Sequence, residues 1–250
     1  MSGHSKWHSI KHAKGAADAA RGRLFARLAR QIEVAARDGG GDIEGNPTLR
    51  TMVQKARDAS MPKDNIERAV KRGTGELDGV TYESIVYEGY ATNGVAVYVE
   101  ALTDNRNRTG AEIKNAFTRN GGSLSEPGSV AWQFERKGVT ILDKAAASED
   151  DLMLAALDAG AEDIEDQGDT WQVTTAPSDL HAVRSALEAA GIPFVSADLT
   201  MLASTSVELA DASSAKSVLR VIDALEDHDD VQNVYANFDI PDDVLQTVVA

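Results

Sequence analysis

Apolar residues recur with a helical period near the start of the chain, from about Ala17 to Arg37. At 100° per residue, six apolar side chains fall in one sector: Leu24, Phe25, Leu28, Ile32, Ala35 and Ala36. Four arginines fall on nearly the opposite side: Arg23, Arg27, Arg30 and Arg37. The pattern predicts an amphipathic helix with a basic outer face, ended by Gly39-Gly40-Gly41.

Two shorter helical patterns follow. The first begins at Asn46-Pro47, where asparagine suits the N-cap and proline the first turn. The second begins near Pro62 and stops at Gly73. Their apolar positions are Leu49, Met52, Val53 and Ala56 in the first, and Ile66 and Val70 in the second. Residues 1–76 are therefore predicted to form a basic all-α domain.

Alternating patterns typical of strands begin at Tyr82. Ser84–Tyr90 and Val95–Leu102 flank Asn93-Gly94, which predicts a β-hairpin. A helix is expected from about Gly110 to Arg119, with Thr109 and Glu112 spaced as a capping box. A strand is expected at Val130–Glu135.

Residues 136–203 show the order β-α-β-β-α-β, which is typical of a ferredoxin-like module. The elements after it, Ser206–Leu209, a helix at 213–226 and a strand at Val234–Ile240, are too few for a domain. We expect them to complete the sheet begun at Tyr82. The predicted fold is α+β and multidomain: an N-terminal all-α domain, a discontinuous α/β sandwich (80–135 with 204–240), and the ferredoxin-like sandwich 136–203 inserted into it.

Charge is distributed unevenly along the chain. The net charge is −15, yet residues 1–75 hold 15 Lys/Arg against 8 Asp/Glu, and the remaining residues hold 10 against 32. This asymmetry predicts a polyanion-binding module attached to acidic modules. The acidic 136–203 domain is a possible surface for a protein partner. Cysteine is absent, no apolar run is long enough to span a membrane, and no secretory signal is evident, so a cytoplasmic location without membrane association is expected.

The first candidate nucleic-acid interface lies between residues 6 and 37. Its cations are Lys6, Lys11, Lys14, Arg21, Arg23, Arg27, Arg30 and Arg37. Lysine and arginine neutralise phosphates and release counterions. Trp7 is either a platform for an exposed base or a core anchor. His8 is predicted to contact phosphate or solvent; its spacing from His4 and His12 suits metal ligands, but no carboxylate joins them and no metal is expected.

The second candidate interface is the segment Asp104–Thr109. Arg106 and Arg108 precede a predicted helix N-terminus, where the dipole favours anions, so a phosphate would complete the site. Asn105 and Asn107 could add hydrogen bonds to bases or ribose. The alternative is local pairing of both arginines with Asp104 and Glu112.

Signatures of catalysis are missing from the sequence. It contains no Walker A motif, no dinucleotide-binding glycine pattern, no nucleophile elbow and no zinc-protease motif. A non-enzymatic protein without a cofactor is predicted.

Several ordered motifs between residues 2 and 135 resemble the YebC/PmpR family. They are Gly3-His4-Ser5-Lys6-Trp7, Arg21-Gly22-Arg23-Leu24-Phe25, Met61-Pro62-Lys63-Asp64-Asn65-Ile66, Tyr87-Glu88-Gly89-Tyr90, Leu102-Thr103-Asp104-Asn105-Arg106-Asn107-Arg108-Thr109, Gly121-Gly122 and Gly128-Ser129-Val130. The resemblance implies three domains around a cleft. It also implies one of two functions: a DNA-binding transcriptional regulator, or a ribosome-associated factor that relieves stalling at proline runs. The family also includes a mitochondrial translational activator of cytochrome oxidase.

Residue patterns alone leave the nucleic acid open. No helix-turn-helix with a base-reading second helix and no dimer-forming heptads are evident, which favours rRNA or tRNA over DNA. The family labels favour DNA.

Overall fold

The computed structural model describes residues 17–249, whose buried apolar side chains form three large clusters and one small one. The first cluster lies among three helices, α1 (Ala17–Gly39), α2 (Pro47–Asp58) and α3 (Lys63–Gly73). Asn46 joins them: its Oδ1 accepts from the Leu49 N–H at 3.0 Å, and its Nδ2 donates to the Ala35 carbonyl at 2.8 Å. One side chain therefore caps α2 and fixes it to α1.

The second cluster lies under an antiparallel four-stranded sheet of order β3-β1-β2-β9. Its strands are β1 (Glu83–Tyr90), β2 (Ala96–Thr103), β3 (Ser123–Leu124) and β9 (Val231–Ala236). Val95, Val97 and Val99 are buried in this cluster as the alternation predicts, and Ala101 is buried as well. Helices α4 (Arg106–Arg119), α7 (Ala212–Glu226) and α8 (Asp242–Val249) contribute to it. The hairpin between β1 and β2 turns at Asn93 and Gly94, both with positive φ.

The third cluster belongs to the segment between β3 and β9 in the chain. Its elements are β4 (Phe134–Asp143), α5 (Glu149–Ala156), β5 (Ala161–Asp166), β6 (Thr170–Thr175), α6 (Leu180–Ala189) and β7 (Ser196–Ala203). The sheet order is β5-β6-β4-β7 and every pair is antiparallel, which is the ferredoxin-like arrangement. A short parallel pair, β8 (Val207–Glu208) with β10 (Phe238–Asp239), follows.

The predicted fold class is confirmed: the chain is a multidomain α+β protein with an N-terminal helical part and a ferredoxin-like module inserted within a second sheet. The exact domain boundaries remain a prediction, supported by the pairing of β2 with β9 across the inserted module. No helix within residues 17–249 is long and apolar enough to cross a membrane.

Several predicted elements are wrong in detail. Of the strand expected at Val130–Glu135, Ala131–Gln133 form a 3-10 turn, and only Phe134 and Glu135 lie in a strand. They begin β4, which continues through the strand expected from Val139 because Gly138 lies within the sheet rather than at a break. A Cβ there would lie 2.3 Å from the Thr175 Oγ1. The strand expected at Val234–Ile240 is two strands, β9 and β10, and α8 was not predicted.

Leu24, placed on the buried sector of the first helix, is 41% exposed. Because α1 has 23 residues while α2 and α3 have 12 and 11, the partner helices cannot cover its whole length.

Candidate nucleic-acid interface

The arginine face of α1 lies against an acidic turn that joins α7 to β9, residues 226–230. Arg27 donates to the carbonyl of Glu226, and Arg30 donates to the carbonyl of Asp229. Two ion pairs add to this, Arg23 with Asp227 at 3.2 Å and Arg30 with Asp230 at 3.4 Å, and the charge of Glu226 also acts on Arg27. The guanidinium groups that the sequence predicts to bind phosphate therefore contact this turn instead.

Burial accompanies this contact. Burial lowers the pKa of the Arg27 guanidinium, and the negative charge of Glu226 opposes that shift. The Arg30 guanidinium lies 5.7 Å from the centre of the Tyr82 ring. Arg37 donates to the Val80 carbonyl at 2.9 Å and pairs with the buried Glu33 at 3.5 Å. We call Arg23, Arg27 and Arg30 the closed face.

Behind the closed face, several hydrogen bonds are accepted by the carboxylate of Asp230, whose side chain is only 5% exposed. Its Oδ2 accepts from the Thr109 hydroxyl at 2.6 Å and from Arg108 at 2.8 Å. Because Thr109 donates to the carboxylate, its oxygen can accept from the Thr103 hydroxyl at 2.7 Å. The segment 103–109 is thereby fixed to the turn that holds α1.

The electrostatics of Asp230 follow from these neighbours. Burial alone would raise the pKa of this carboxyl. Hydrogen bonds from Thr109 and Arg108, with the charges of Arg108 and Arg30, outweigh burial and hold the pKa below its ordinary value. The same carboxylate pairing raises the pKa of Arg108. Asp230 is therefore ionised, and it links Arg30 of the helical part to Arg108 and Thr109 of α4.

The segment Asp104–Thr109 differs from its prediction. The helix begins at Arg106 rather than Gly110, and Asn105 caps it by accepting from the Arg108 N–H at 3.1 Å. The predicted Thr109–Glu112 capping box is wrong, because Thr109 is buried against Asp230 and Glu112 contacts His228 at 2.8 Å.

Residues 104–108 are all exposed, but Asp104, Asn105 and Arg108 bind one another or Asp230. Arg106 is 69% exposed and lies 3.8 Å from Glu83, and Asn107 is exposed. Arg108 pairs with Asp104 at 2.8 Å, as the local-pairing alternative expects, and with Asp230. Within this segment, Arg106 and Asn107 are therefore the side chains best placed to meet a ligand.

The remaining predicted site residues divide into two groups. Lys6, Trp7, His8, Lys11 and Lys14 lie outside the described residues. Arg21 is exposed on α1.

The basic residues of α2 and α3 were not among the predicted site residues, although residues 50–72 hold seven Lys/Arg against three Asp/Glu. Five of them are exposed: Arg50, which pairs with Glu44 at 3.3 Å, and Arg57, Lys63, Arg68 and Lys71. Among residues 17–249, no carboxylate pairs with Arg57, Arg68 or Lys71, while Lys63 makes an exposed i,i+4 contact with Glu67 at 3.5 Å. We call Arg57, Lys63, Arg68 and Lys71 the open face. The local charge count was the signal that could have found them.

Glu88 lies in the motif at 87–90 and joins it to the motif at 128–130. Its buried carboxylate accepts from the N–H groups of Gly128, Val130 and Ala131 at 2.6–2.7 Å. Burial would raise the pKa of Glu88, but these three hydrogen bonds lower it below the ordinary value. The motif at 87–90 thus holds the loop at 128–131, and its role is structural.

A further contact joins the helical part to the inserted module. Lys55 on α2 lies 2.7 Å from Asp198 on β7, with both side chains about half exposed. The helical part therefore touches both sheets, through α1 on one and α2 on the other.

This arrangement defines a class of protein in which a basic helical part is attached to two acidic α/β parts. Family models match both portions: the TACO1/YebC protein N-terminal domain over residues 5–76, and the TACO1/YebC second and third domain over residues 82–238. The chain belongs to the TACO1/YebC family.

Similar proteins cover the whole chain. A protein from Halothermothrix orenii named "Probable transcriptional regulatory protein" is 55% identical, covering 99% of each chain. One of the same name from Rubrobacter xylanophilus is 59% identical, again over 99% of each. The crystal structure of the conserved hypothetical protein Aq1575 from Aquifex aeolicus is 45% identical with a TM-score of 0.80, covering 92% of this chain and 94% of that one.

Proposed function

We propose that this protein is a non-enzymatic, cytoplasmic regulator of gene expression that binds nucleic acid through its helical part. Family membership and the names of the relatives support a regulatory role. The observation that carries nucleic-acid binding is the open face: Arg57, Arg68 and Lys71 are exposed without a carboxylate partner among residues 17–249. Exposed cations that the fold leaves unpaired are suited to phosphate.

The closed face makes a smaller contribution in this proposal than its arginine count suggests. A phosphate would have to displace the acidic turn from Arg27 and Arg30 before it could contact them. Arg106 and Asn107 supply a second, smaller contact on the other side of the acidic turn. Lys6, Lys11 and Lys14 stay part of this proposal as cations predicted from the sequence.

The direct test measures binding of the whole protein to a labelled single-stranded RNA and to a duplex DNA over a range of salt concentrations. With roughly four to six phosphates contacted, the log–log slope is expected to be about −3 to −5. A flat salt response on both ligands would overturn the proposal.

The nature of the nucleic acid is a second question. We propose DNA as the target, following the relatives' names, with rRNA or tRNA on the ribosome as the alternative that the missing recognition helix favours. Crosslinking the protein in cells and sequencing the attached RNA and DNA separates them. Enrichment of promoter DNA supports the first, and enrichment of ribosomal RNA and tRNA the second.

A protein partner for the inserted module is also proposed, on a specific observation. Residues 136–203 hold 4 Lys/Arg against 13 Asp/Glu, and α5 with its following turn exposes Leu154 (85%) and Leu157 (51%). Exposed leucines beside carboxylates suit a partner with basic and apolar side chains. Loss of a co-purifying protein on Leu154→Ser with Leu157→Ser, at unchanged nucleic-acid affinity, would support this role; retention would remove it.

A further inference from the structure

A cleft of about 420 Å³ opens on the helical part beside the open face. Its lining combines an apolar floor with charged rims: Ile43, Met61, Ile66 and Val70 form the floor, and Arg57, Lys63, Glu67, Lys71 and Glu76 the rims. This size falls within the roughly 300–1,000 Å³ of ordinary ligand sites.

The sequence builds this cleft from two turns and one helix face. After α2, Ser60 adopts a φ of 60°, and the Met61 N–H bonds to the Ala56 carbonyl at 2.9 Å, which brings Met61 under α3. Beyond α3, the N–H groups of Glu76 and Leu77 both bond to the Lys71 carbonyl, so Glu76 folds back to the rim.

Helix α3 contributes its residues at i, i+3, i+4, i+7 and i+8, which lie on one face of a helix. They are Lys63, Ile66, Glu67, Val70 and Lys71. Ile66 and Val70 run along the floor, and the three charged residues form one row beside them. The spacing within α3 therefore encodes an apolar strip beside a charged row, in which Glu67 lies between Lys63 and Lys71.

The charges select among anionic ligands. Three cations and two carboxylates line the cleft, so its formal charge is +1. That charge matches one phosphodiester better than the several charges of a free nucleoside polyphosphate. The apolar floor suits the face of a base, and Glu67 can accept hydrogen bonds from an exocyclic amino group or a ribose hydroxyl.

We propose that this cleft binds one unstacked nucleotide of a single strand, with its base on Met61, Ile66 and Val70 and its phosphodiester on Lys63, Lys71 and Arg57. The proposal rests on the proposed function and sharpens it, since the ligand becomes a single-stranded segment rather than a duplex.

The test follows the methyl resonances of Met61, Ile43 and Ile66 in the full chain during titration with a dinucleoside monophosphate, which carries two bases and one phosphodiester. We expect saturable shifts at these methyls. Lys63→Ala with Lys71→Ala should weaken binding about tenfold, a difference of about 1.4 kcal/mol. Lys114→Ala with Arg119→Ala, which removes two exposed cations from α4, is the matched control and should leave the titration unchanged.

The outcomes separate the two proposals. Absence of methyl shifts, while the protein still binds a long RNA or DNA with steep salt dependence, would overturn the cleft and leave the proposed function standing. Equal shifts with inorganic phosphate alone would also overturn it, since an anion site needs no base. Absence of binding to both the dinucleotide and long nucleic acids would overturn both proposals.

Discussion

The helical part presents two sets of cations, and they differ in what lies opposite them. The closed face on α1 meets the acidic turn at 226–230, where Arg27 and Arg30 donate to backbone carbonyls and Arg30 pairs with Asp230. The open face on α2 and α3 meets no carboxylate from the other parts of the described chain, apart from the Lys55–Asp198 contact beside it.

The density of arginines along a helix therefore does not identify what those arginines bind. Arginine forms planar, directional contacts with carboxylates and carbonyls as readily as with phosphates, so the partner is decided by what the tertiary fold brings near. Here the most regular arginine row serves to join two parts of the protein, and the more dispersed cations remain available.

The largest expected effect comes from breaking the closed face at its centre. Asp230→Ala removes a buried acceptor and leaves Arg30, Arg108 and Thr109 without their shared partner. We expect the free energy of unfolding to fall by about 3–5 kcal/mol, measured by urea denaturation. Asp227→Ala, which removes a largely exposed pair with Arg23, is the control and should cost under about 1 kcal/mol. Equal losses of unfolding free energy would show that Asp230 holds the turn no more strongly than Asp227 does.

The next effect separates the two ends of α1. Leu28 is 6% exposed and packs in the helical core, so Leu28→Ala should cost roughly 2–5 kcal/mol. Leu24 is 41% exposed, so Leu24→Ala should change the thermal midpoint little. Similar losses from both would mean that the N-terminal turns of α1 are covered.

Acid should weaken the closed face. Because the pKa of Asp230 is lower in the folded protein, its stabilisation is fully present above the ordinary carboxyl pKa and is lost as pH falls through the folded value. The stability difference between the wild type and Asp230→Asn should therefore shrink as pH falls below about 4. Thermal unfolding at several pH values measures this, and a constant difference would contradict the assignment.

Much of the fold follows from the sequence because its signals are local. The Asn46 cap, the Asn93-Gly94 turn and the β-α-β-β-α-β order each depend on neighbouring residues, and each is seen. The continuity of β4 through Gly138 is not predictable from local signals, because the close approach of Gly138 to Thr175 depends on strand pairing.

The candidate site is less predictable for the same reason. Asp230 lies 200 residues from Arg30 and 122 from Arg108 along the chain, and nothing in either segment indicates the other. The arginine face of α1 is visible in the sequence, but the acidic turn that covers it is not. Among the described residues, Arg21, Arg106, Asn107 and the charge count of residues 50–72 indicate surfaces that stay open.

Matched removals of charge test whether the open face, rather than the closed face, contacts the nucleic acid. Arg57→Ala with Lys71→Ala removes two cations from the open face, and Arg23→Ala with Arg27→Ala removes two from the closed face. Binding of one labelled single strand, prepared as DNA and as RNA, is measured for each pair at several salt concentrations. We expect the open-face pair to weaken binding about tenfold and to reduce the salt slope by about 2, while the closed-face pair leaves the slope unchanged. A reduced slope for the closed-face pair, with an unchanged slope for the open-face pair, would contradict this account.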